Sequence, residues 1–138
     1  MSFLLDTVVL SELRKTKPSR KVVQWLKAQK RERLFISVVS IGEIERGIEK
    51  VPKTDVAFAG DLEQWLEALM RLYGDHVIPV NGNAARLWGR LSATLGNDGA
   101  DLLIAATALA HGLTVVTRNV KQFAPTGVRI FNPFEDVA

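Results

Sequence analysis

Short hydrophobic runs alternate along the chain with longer stretches in which apolar residues recur at helical spacing. The short runs contain β-branched and aromatic residues and are typical of strands. They cover residues 3–5, 34–37, 77–80, 113–117 and 128–131. Between them, apolar residues at i, i+3, i+4 and i+7 predict helices. The predicted helices cover residues 7–14, 22–30, 40 to just before Pro52, 62–73, 84–95 and 98–110.

This order of elements predicts a three-layer α/β/α sandwich with a central parallel sheet, in a single domain spanning residues 1–138. Parallel strands require long crossover connections, which the helices between the strands supply. The stretch 98–110 is apolar almost all round, so we expect that helix to be buried. In open sheets of this kind, ligands bind at the carboxyl ends of the strands. The residues that follow each strand are therefore the candidates for function.

The composition is that of an ordinary globular protein and excludes several classes of site. The 138 residues include no cysteine, which rules out disulfides, thiolate metal sites, cysteine nucleophiles and iron–sulfur clusters. The longest apolar run, Leu102–Ala110, is far shorter than the roughly 20 residues that span a bilayer. The N-terminus lacks a basic segment before its short apolar stretch. We therefore expect a soluble, cytoplasmic protein without membrane contact.

The net charge of +3 conceals an uneven distribution of basic residues. Nine basic residues lie between Arg14 and Arg33, against one acid, Glu32. Such a cluster fits the phosphate backbone of a nucleic acid, and it fits equally well the solvated face of a helix.

Three acids and an amide stand where predicted strands give way to helices. Asp6 follows the first strand, Glu43 lies near the start of the helix after the second strand, and Asp101 lies in the first turn of the buried helix. Asn119 follows the strand that ends at Thr117. If the strands are neighbours, these four side chains converge at one edge of the sheet. Further along the first helix, Glu12 points either toward this edge or toward solvent.

Each acid also has a purely structural interpretation. Asp6 suits the N-cap of the helix that follows it. Ser40 to Glu43 matches the capping-box pattern, in which the glutamate reaches back to the serine amide. Asp98 suits an N-cap, which leaves Asp101 in a first turn where the helix dipole favours a negative charge. Capping explains an acid at each helix start, but it does not explain why they converge.

A cluster of oxygen ligands without histidine or cysteine selects Mg²⁺ or Mn²⁺ over Zn²⁺. Beside a basic surface, it suits phosphodiester hydrolysis, in which metal ions acidify a water and stabilise the leaving oxygen. Other chemistries lack their residues: there is no phosphate-binding G-x-x-x-x-G-K-[ST] motif, and Val8 stands where a D-x-D phosphatase has its second acid. His76 and His111 lie at a strand start and a helix end, and we interpret both as surface or capping residues.

At these residues the sequence resembles the PIN-domain superfamily, and within it the VapC and FitB-like toxins of type II toxin–antitoxin systems. The D-x-x-I-A-A-T-A segment that starts at Asp101 is the most specific match. The segments that carry the resemblance are Leu4–Thr7 with Ser11 and Glu12, Ser37–Glu43 with Gly47, Asp101–Ala108, Val116–Asn119, Phe123, Gly127–Val128 and Asn132–Pro133. They run from one end of the chain to the other in the family's order.

The resemblance implies a parallel sheet with a cleft lined by Asp6, Glu43 and Asp101, and RNA cleavage dependent on Mg²⁺ or Mn²⁺. Asp6 and Asp101 match the family's central metal ligands, Glu43 matches its third acid, and Thr7 matches a hydroxyl that supports the first acid. The resemblance also implies a homodimer neutralised by an antitoxin encoded beside it, in some cases as a larger assembly. The predicted function is therefore that of an endoribonuclease toxin.

The sequence departs from the family's pattern at the fourth acid. The family places this acid at the position of Asn119 or of Gln122, and neither is acidic here. Asn119 offers a carbonyl without charge, and Asp98, one turn before Asp101, is a weak candidate to compensate. The departure supports an alternative function, that of a catalytically weak PIN-like module that binds RNA or a protein partner. A receiver domain of flavodoxin type is disfavoured, because no convincing pair of phosphoacceptor aspartate and lysine is present.

Overall fold

The structure is a computed structural model, and it describes residues 1–135. Its strands are β1 (Phe3–Leu5), β2 (Leu34–Ser37), β3 (Val77–Ile78), β4 (Thr114–Val116) and β5 (Ile130–Phe131). Its α-helices are α1 (Thr7–Arg14), α2 (Arg20–Ala28), α3 (Val38–Glu49), α4 (Val56–Tyr73), α5 (Gly82–Leu95), α6 (Ala100–His111) and α7 (Val120–Phe123). Short 3-10 helices cover Arg31–Arg33, Gly74–His76 and Ala124–Thr126. Every predicted strand and helix is confirmed. Strands β3, β4 and β5 are shorter than predicted, α4 and α5 begin earlier, and α7 was not predicted.

The five strands form one parallel sheet in the order β3-β2-β1-β4-β5. The central strand β1 pairs Phe3 with Leu34 of β2 on one side and Leu5 with Val116 of β4 on the other. Asp6 follows β1 directly, so its backbone N–H still donates to the Val116 carbonyl at 3.0 Å. The carboxyl ends of β1, β2 and β4 therefore meet at a single edge of the sheet.

Helices cover both faces of this sheet, as the three-layer prediction requires. Because successive side chains of a strand point to opposite faces, Leu5 packs into a core with α1 to α4, and Leu4 packs into a second core with α6. Helix α6 is buried along most of its length, as predicted from its composition. No helix within residues 1–135 combines the length and the hydropathy needed to cross a bilayer.

Among the helix starts that differ from the prediction, those of α3 and α6 bear on the site. Helix α3 begins at Val38 rather than Ser40, because Ser37 at the end of β2 is its N-cap and accepts a hydrogen bond from the Val39 amide at 3.0 Å. Glu43 consequently lies in the second turn, and the predicted capping box between Ser40 and Glu43 does not form. Helix α6 begins at Ala100, with Gly99 rather than Asp98 at its N-cap.

Candidate active site

Asp6 is the most tightly held of the acids. It is 2% exposed and is the N-cap of α1, as the structural interpretation predicted. Its Oδ1 accepts a hydrogen bond from the Thr7 amide at 2.8 Å, and its Oδ2 accepts one from the Thr117 hydroxyl at 2.7 Å. Capping uses one oxygen only, so the contact with Thr117, which comes from the end of a different strand, serves to fix the carboxylate in place.

Glu43 is held by the Thr7 hydroxyl, which in turn contacts the Ser40 hydroxyl. The Thr7 hydroxyl lies 2.7 Å from Glu43 Oε1 and 2.7 Å from Ser40 Oγ. A hydroxyl has one proton, and an ionised carboxylate can only accept. Thr7 therefore donates to Glu43, and Ser40, which is buried, donates to Thr7. The hydroxyl of Thr7 thus supports the second acid, whereas the family resemblance had assigned it to the first; Asp6 receives only the Thr7 amide.

Asp101 completes the acidic site from the first turn of α6, where it is half-buried. Burial raises the pKa of Asp6 to about 6; the Thr117 hydrogen bond opposes this rise, and the negative charges of Asp101 and Glu43 add to it. Burial also raises the pKa of Asp101, with a further contribution from Glu43. Asp6 and Asp101 are therefore close enough to neighbouring carboxylates for those charges to raise their pKa, and the predicted convergence of the three acids is present.

The arrangement is a set of neighbouring like charges rather than a closed cage. Within residues 1–135, no three acidic or histidine side chains are drawn together tightly enough to form a complete metal-binding group. The donor set nevertheless suits a hard divalent cation, because carboxylate oxygens that repel one another are stabilised by such an ion.

Asn119 lies beside the acids but is not joined to them. Its backbone amide donates to the Thr117 hydroxyl at 2.9 Å, so Thr117 bridges Asp6 and Asn119. The Asn119 side chain makes no capping hydrogen bond to α7. It lines a cleft of about 390 Å³ together with Arg118 and the exposed Gln122. Thr117 is not among the site residues predicted from the sequence, although a hydroxyl at the end of a strand beside a candidate acid could have identified it.

The remaining candidates have structural roles. Glu12 is buried and accepts hydrogen bonds from Lys15 Nζ at 2.8 Å and from the Ser19 amide at 2.9 Å. The Lys15 hydrogen bond is the main reason that the pKa of Glu12 is lowered. Glu12 therefore stabilises the connection between α1 and α2. His76 contacts the Leu34 carbonyl and His111 the Thr107 carbonyl, as expected for structural histidines.

Comparison with known proteins agrees with this geometry. The PIN domain family matches residues 3–126, which include all three acids, Thr117 and Asn119. The chain belongs to the PIN domain family. VapC ribonuclease Y4jK of Sinorhizobium fredii is 39% identical to this PIN domain over 139 residues, which cover 96% of this chain and 97% of that protein.

Solved structures share the fold over nearly the whole length of this PIN domain. FitAcB from Neisseria gonorrhoeae superposes with a TM-score of 0.84 at 30% identity, covering 96% of this chain and 98% of that one. A toxin–antitoxin complex from Klebsiella pneumoniae superposes with a TM-score of 0.70 at 27% identity, covering 98% of this chain and 100% of that one. The likeness extends along nearly the whole of both chains, so the sheet and its helices belong to the shared fold.

Proposed function

We propose that this PIN domain is a divalent-metal-dependent endoribonuclease that acts in the cytoplasm as the toxin of a toxin–antitoxin pair. The observation that carries the proposal is the convergence of Asp6, Glu43 and Asp101 at the carboxyl edge of the sheet. There burial and the neighbouring carboxylates raise the pKa of Asp6, and burial and Glu43 raise the pKa of Asp101. The similarity to a protein named as a VapC ribonuclease, over almost the whole chain, supports RNA as the substrate.

Asp6, Glu43 and Asp101 would hold Mg²⁺ or Mn²⁺, because their oxygens are the ligands that these ions prefer. When bound, such an ion supplies positive charge at the scissile phosphate and acidifies the attacking water. The protein's own contribution is to hold the ligands. Thr117 and the Thr7 amide fix Asp6, and the Thr7 hydroxyl, itself bonded to Ser40, fixes Glu43.

Asn119 limits the number of negatively charged ligands at this site. It brings an amide where the family's fourth carboxylate is expected, so the protein offers three negative charges at most. Affinity for hard cations rises with the number of charged ligands. We therefore expect one ion to bind adequately and a second to bind weakly until the RNA phosphate supplies further negative charge.

A cognate antitoxin and a second copy of the chain are the proposed partners. The complex from Klebsiella pneumoniae, described as a toxin–antitoxin complex, supports the first. For the second, α5 carries a half-buried Leu95 and a half-buried Trp88, whose buried Nε1–H lacks a hydrogen-bond acceptor among the described residues. Light scattering of the purified protein, alone and with the product of the neighbouring gene, measures both associations. A strict monomer at micromolar concentration would contradict the homodimer.

An RNA cleavage assay tests the activity. The wild-type protein should cleave a labelled single-stranded RNA with Mg²⁺, lose activity when a chelator is added, and recover it when Mg²⁺ is restored in excess. Asp101→Asn should abolish cleavage, whereas Asp61→Asn, which changes an exposed acid on α4, should not. RNA binding by the wild-type protein without cleavage would instead favour the alternative, a catalytically weak binding module.

A growth experiment tests the biological role separately. Induced expression of the wild-type chain should arrest bacterial growth, and co-expression of the neighbouring gene should restore it. Asp101→Asn should be harmless although it is equally well expressed. Arrest by the Asp101→Asn variant would contradict a toxicity that depends on RNA cleavage.

A further inference from the structure

An aromatic cleft of about 500 Å³ lies at the amino ends of β1, β4 and β5, away from the acids. Helix α2 contributes one of its side chains, and the strands and the residues just before them contribute most of the others. Its lining includes Phe3, Trp25, Thr114, Arg129 and Phe131. Phe3, at the start of β1, precedes Asp6 by three residues, which is about 10 Å along an extended chain. A small molecule in this cleft therefore lies apart from the proposed metal site.

Three aromatic side chains form one wall of the cleft. The centre of the Trp25 ring lies 4.9 Å from that of Phe3, in an edge-to-face contact, and 5.0 Å from that of Phe131. Phe3 is buried, whereas Trp25 and Phe131 are half-buried. Contacts of this geometry stabilise aromatic pairs. The rings therefore hold one another in place, and two of them keep accessible surface against which a further flat ring can pack.

Two polar side chains in the lining lack a partner within the described part of the chain. Arg129 is exposed, and no carboxylate in residues 1–135 forms an ion pair with it. Thr114 is 5% exposed, yet its hydroxyl makes no hydrogen bond to another residue in that range. A side chain buried to this extent is usually hydrogen-bonded. A ligand that accepts hydrogen bonds would pair with both groups.

The charge of α2 favours an anion in this cleft. This helix, which supplies Trp25, contains three basic residues and no acid; the basic residues are Arg20, Lys21 and Lys27. A surface with one sign of charge raises the local concentration of ions of the opposite sign. The three residues belong to the basic cluster between Arg14 and Arg33, which has no part in the chemistry proposed above.

We propose that this cleft binds a small aromatic carboxylate. Its ring lies against Trp25 and Phe131. Its carboxylate accepts hydrogen bonds from the Arg129 guanidinium, whose planar fork matches two carboxylate oxygens, and from the Thr114 hydroxyl. A largely apolar lining with a few polar groups, at a volume of about 500 Å³, suits a small molecule. The proposal does not depend on RNA cleavage, since it needs neither the acids nor a metal ion.

Isothermal titration calorimetry with 2-naphthoate tests the proposal on the purified chain without added metal. The wild-type protein should bind one molecule per chain with a Kd below about 1 mM. The neutral isostere 2-naphthamide lacks the charge, and acetate lacks the ring. Each should bind at least about tenfold more weakly than 2-naphthoate, because the ring and the charge both contribute to affinity.

Two substitutions locate the site. Arg129→Gln removes the charge, and Thr114→Val removes the hydroxyl while it keeps the shape of the side chain. Each should weaken 2-naphthoate binding by about tenfold, since each removes a hydrogen bond to a charged group. Arg129→Gln should leave the weak binding of 2-naphthamide unchanged. Arg90→Gln is the matched control, because Arg90 is exposed on α5, which packs against α6 on the other face of the sheet.

Four results would overturn the proposal, provided that circular dichroism melting shows each variant to be folded. Failure of the wild type to bind 2-naphthoate would remove the site. Equally tight binding of 2-naphthamide would leave an apolar cleft without a preference for anions. Equal affinities of Arg129→Gln, Thr114→Val and Arg90→Gln for 2-naphthoate would place its binding elsewhere. A dimer that 2-naphthoate dissociates would assign the cleft to a second copy of the chain.

Discussion

Replacing Asp6 with asparagine should stabilise the metal-free protein at neutral pH. Asp6 is 2% exposed, and its pKa rises from 3.8 to about 6 on folding. The folded protein therefore favours the protonated carboxyl. This favourable contribution is complete below the unfolded pKa and is lost as the pH rises through the folded pKa. At pH 8 the ionised Asp6 opposes folding, and the uncharged side chain of Asp6→Asn does not.

The expected gain follows from the size of the shift. A shift of roughly two pKa units corresponds to about 3 kcal/mol of destabilisation once Asp6 is fully ionised. Asparagine keeps one oxygen to accept the Thr7 amide, and it remains a good N-cap. Its amide nitrogen, however, cannot accept the hydrogen bond that Thr117 now donates, and a lost bond of this kind costs roughly 1–1.5 kcal/mol. The net gain at pH 8 is therefore about 1–2 kcal/mol.

Urea unfolding in chelator, at pH 8 and pH 5, measures this difference. The advantage of Asp6→Asn should shrink by about 1.4 kcal/mol at pH 5, because the wild-type carboxyl is then mostly protonated when folded. Asp61→Asn, at an exposed position on α4, should show no comparable pH dependence. An Asp6→Asn protein that is less stable than wild type at pH 8, or an advantage that does not change with pH, would refute the reasoning.

Three further substitutions test the supporting residues. Asn119→Asp adds a negative charge and should lower the Mg²⁺ concentration for half-maximal RNA cleavage; an unchanged or higher midpoint would place this residue outside the metal shell. Thr117→Val removes the hydrogen bond that lowers the pKa of Asp6, so the acid limb of the pH–rate profile should move to higher pH, and Thr117→Ser should restore it. Glu12→Gln loses the ion pair with Lys15 at 2.8 Å and should lower the melting temperature without abolishing cleavage; loss of cleavage in a folded protein would give Glu12 a direct part in the reaction.

The acids that follow strands could be located from the sequence because their positions depend on topology alone. Five short apolar runs separated by helical stretches leave few arrangements other than a parallel sheet. Once β1, β2 and β4 are neighbours, Asp6 and the residues that follow the other two strands must meet at one edge. Asp101 was also placed correctly in its first helical turn, because a long apolar stretch defines α6 even when its exact start is uncertain.

The hydroxyl network could not be predicted, because its partners are distant in sequence. Both Ser37 and Ser40 are suitable N-caps, and local sequence gives no reason to choose between them. Ser37 is the N-cap because its extended backbone ends β2 and α3 begins at the next residue. Ser40 is then free to contact Thr7, which is 33 residues away. Thr117 and Asp6 are 111 residues apart, and only the pairing of β1 with β4 brings them together.

Direct measurement of ion binding tests most sharply the claim that Asp6, Glu43 and Asp101 hold a divalent cation. Electron paramagnetic resonance of free Mn²⁺, titrated into the metal-free protein, reports the bound fraction without any reference to cleavage. The wild-type chain and Asp61→Asn should bind Mn²⁺ alike, and Asp6→Asn and Asp101→Asn should bind it at least about tenfold more weakly, since each removes one charged ligand. Equal binding by all four proteins, or none by the wild type, would contradict a metal site at this edge of the sheet.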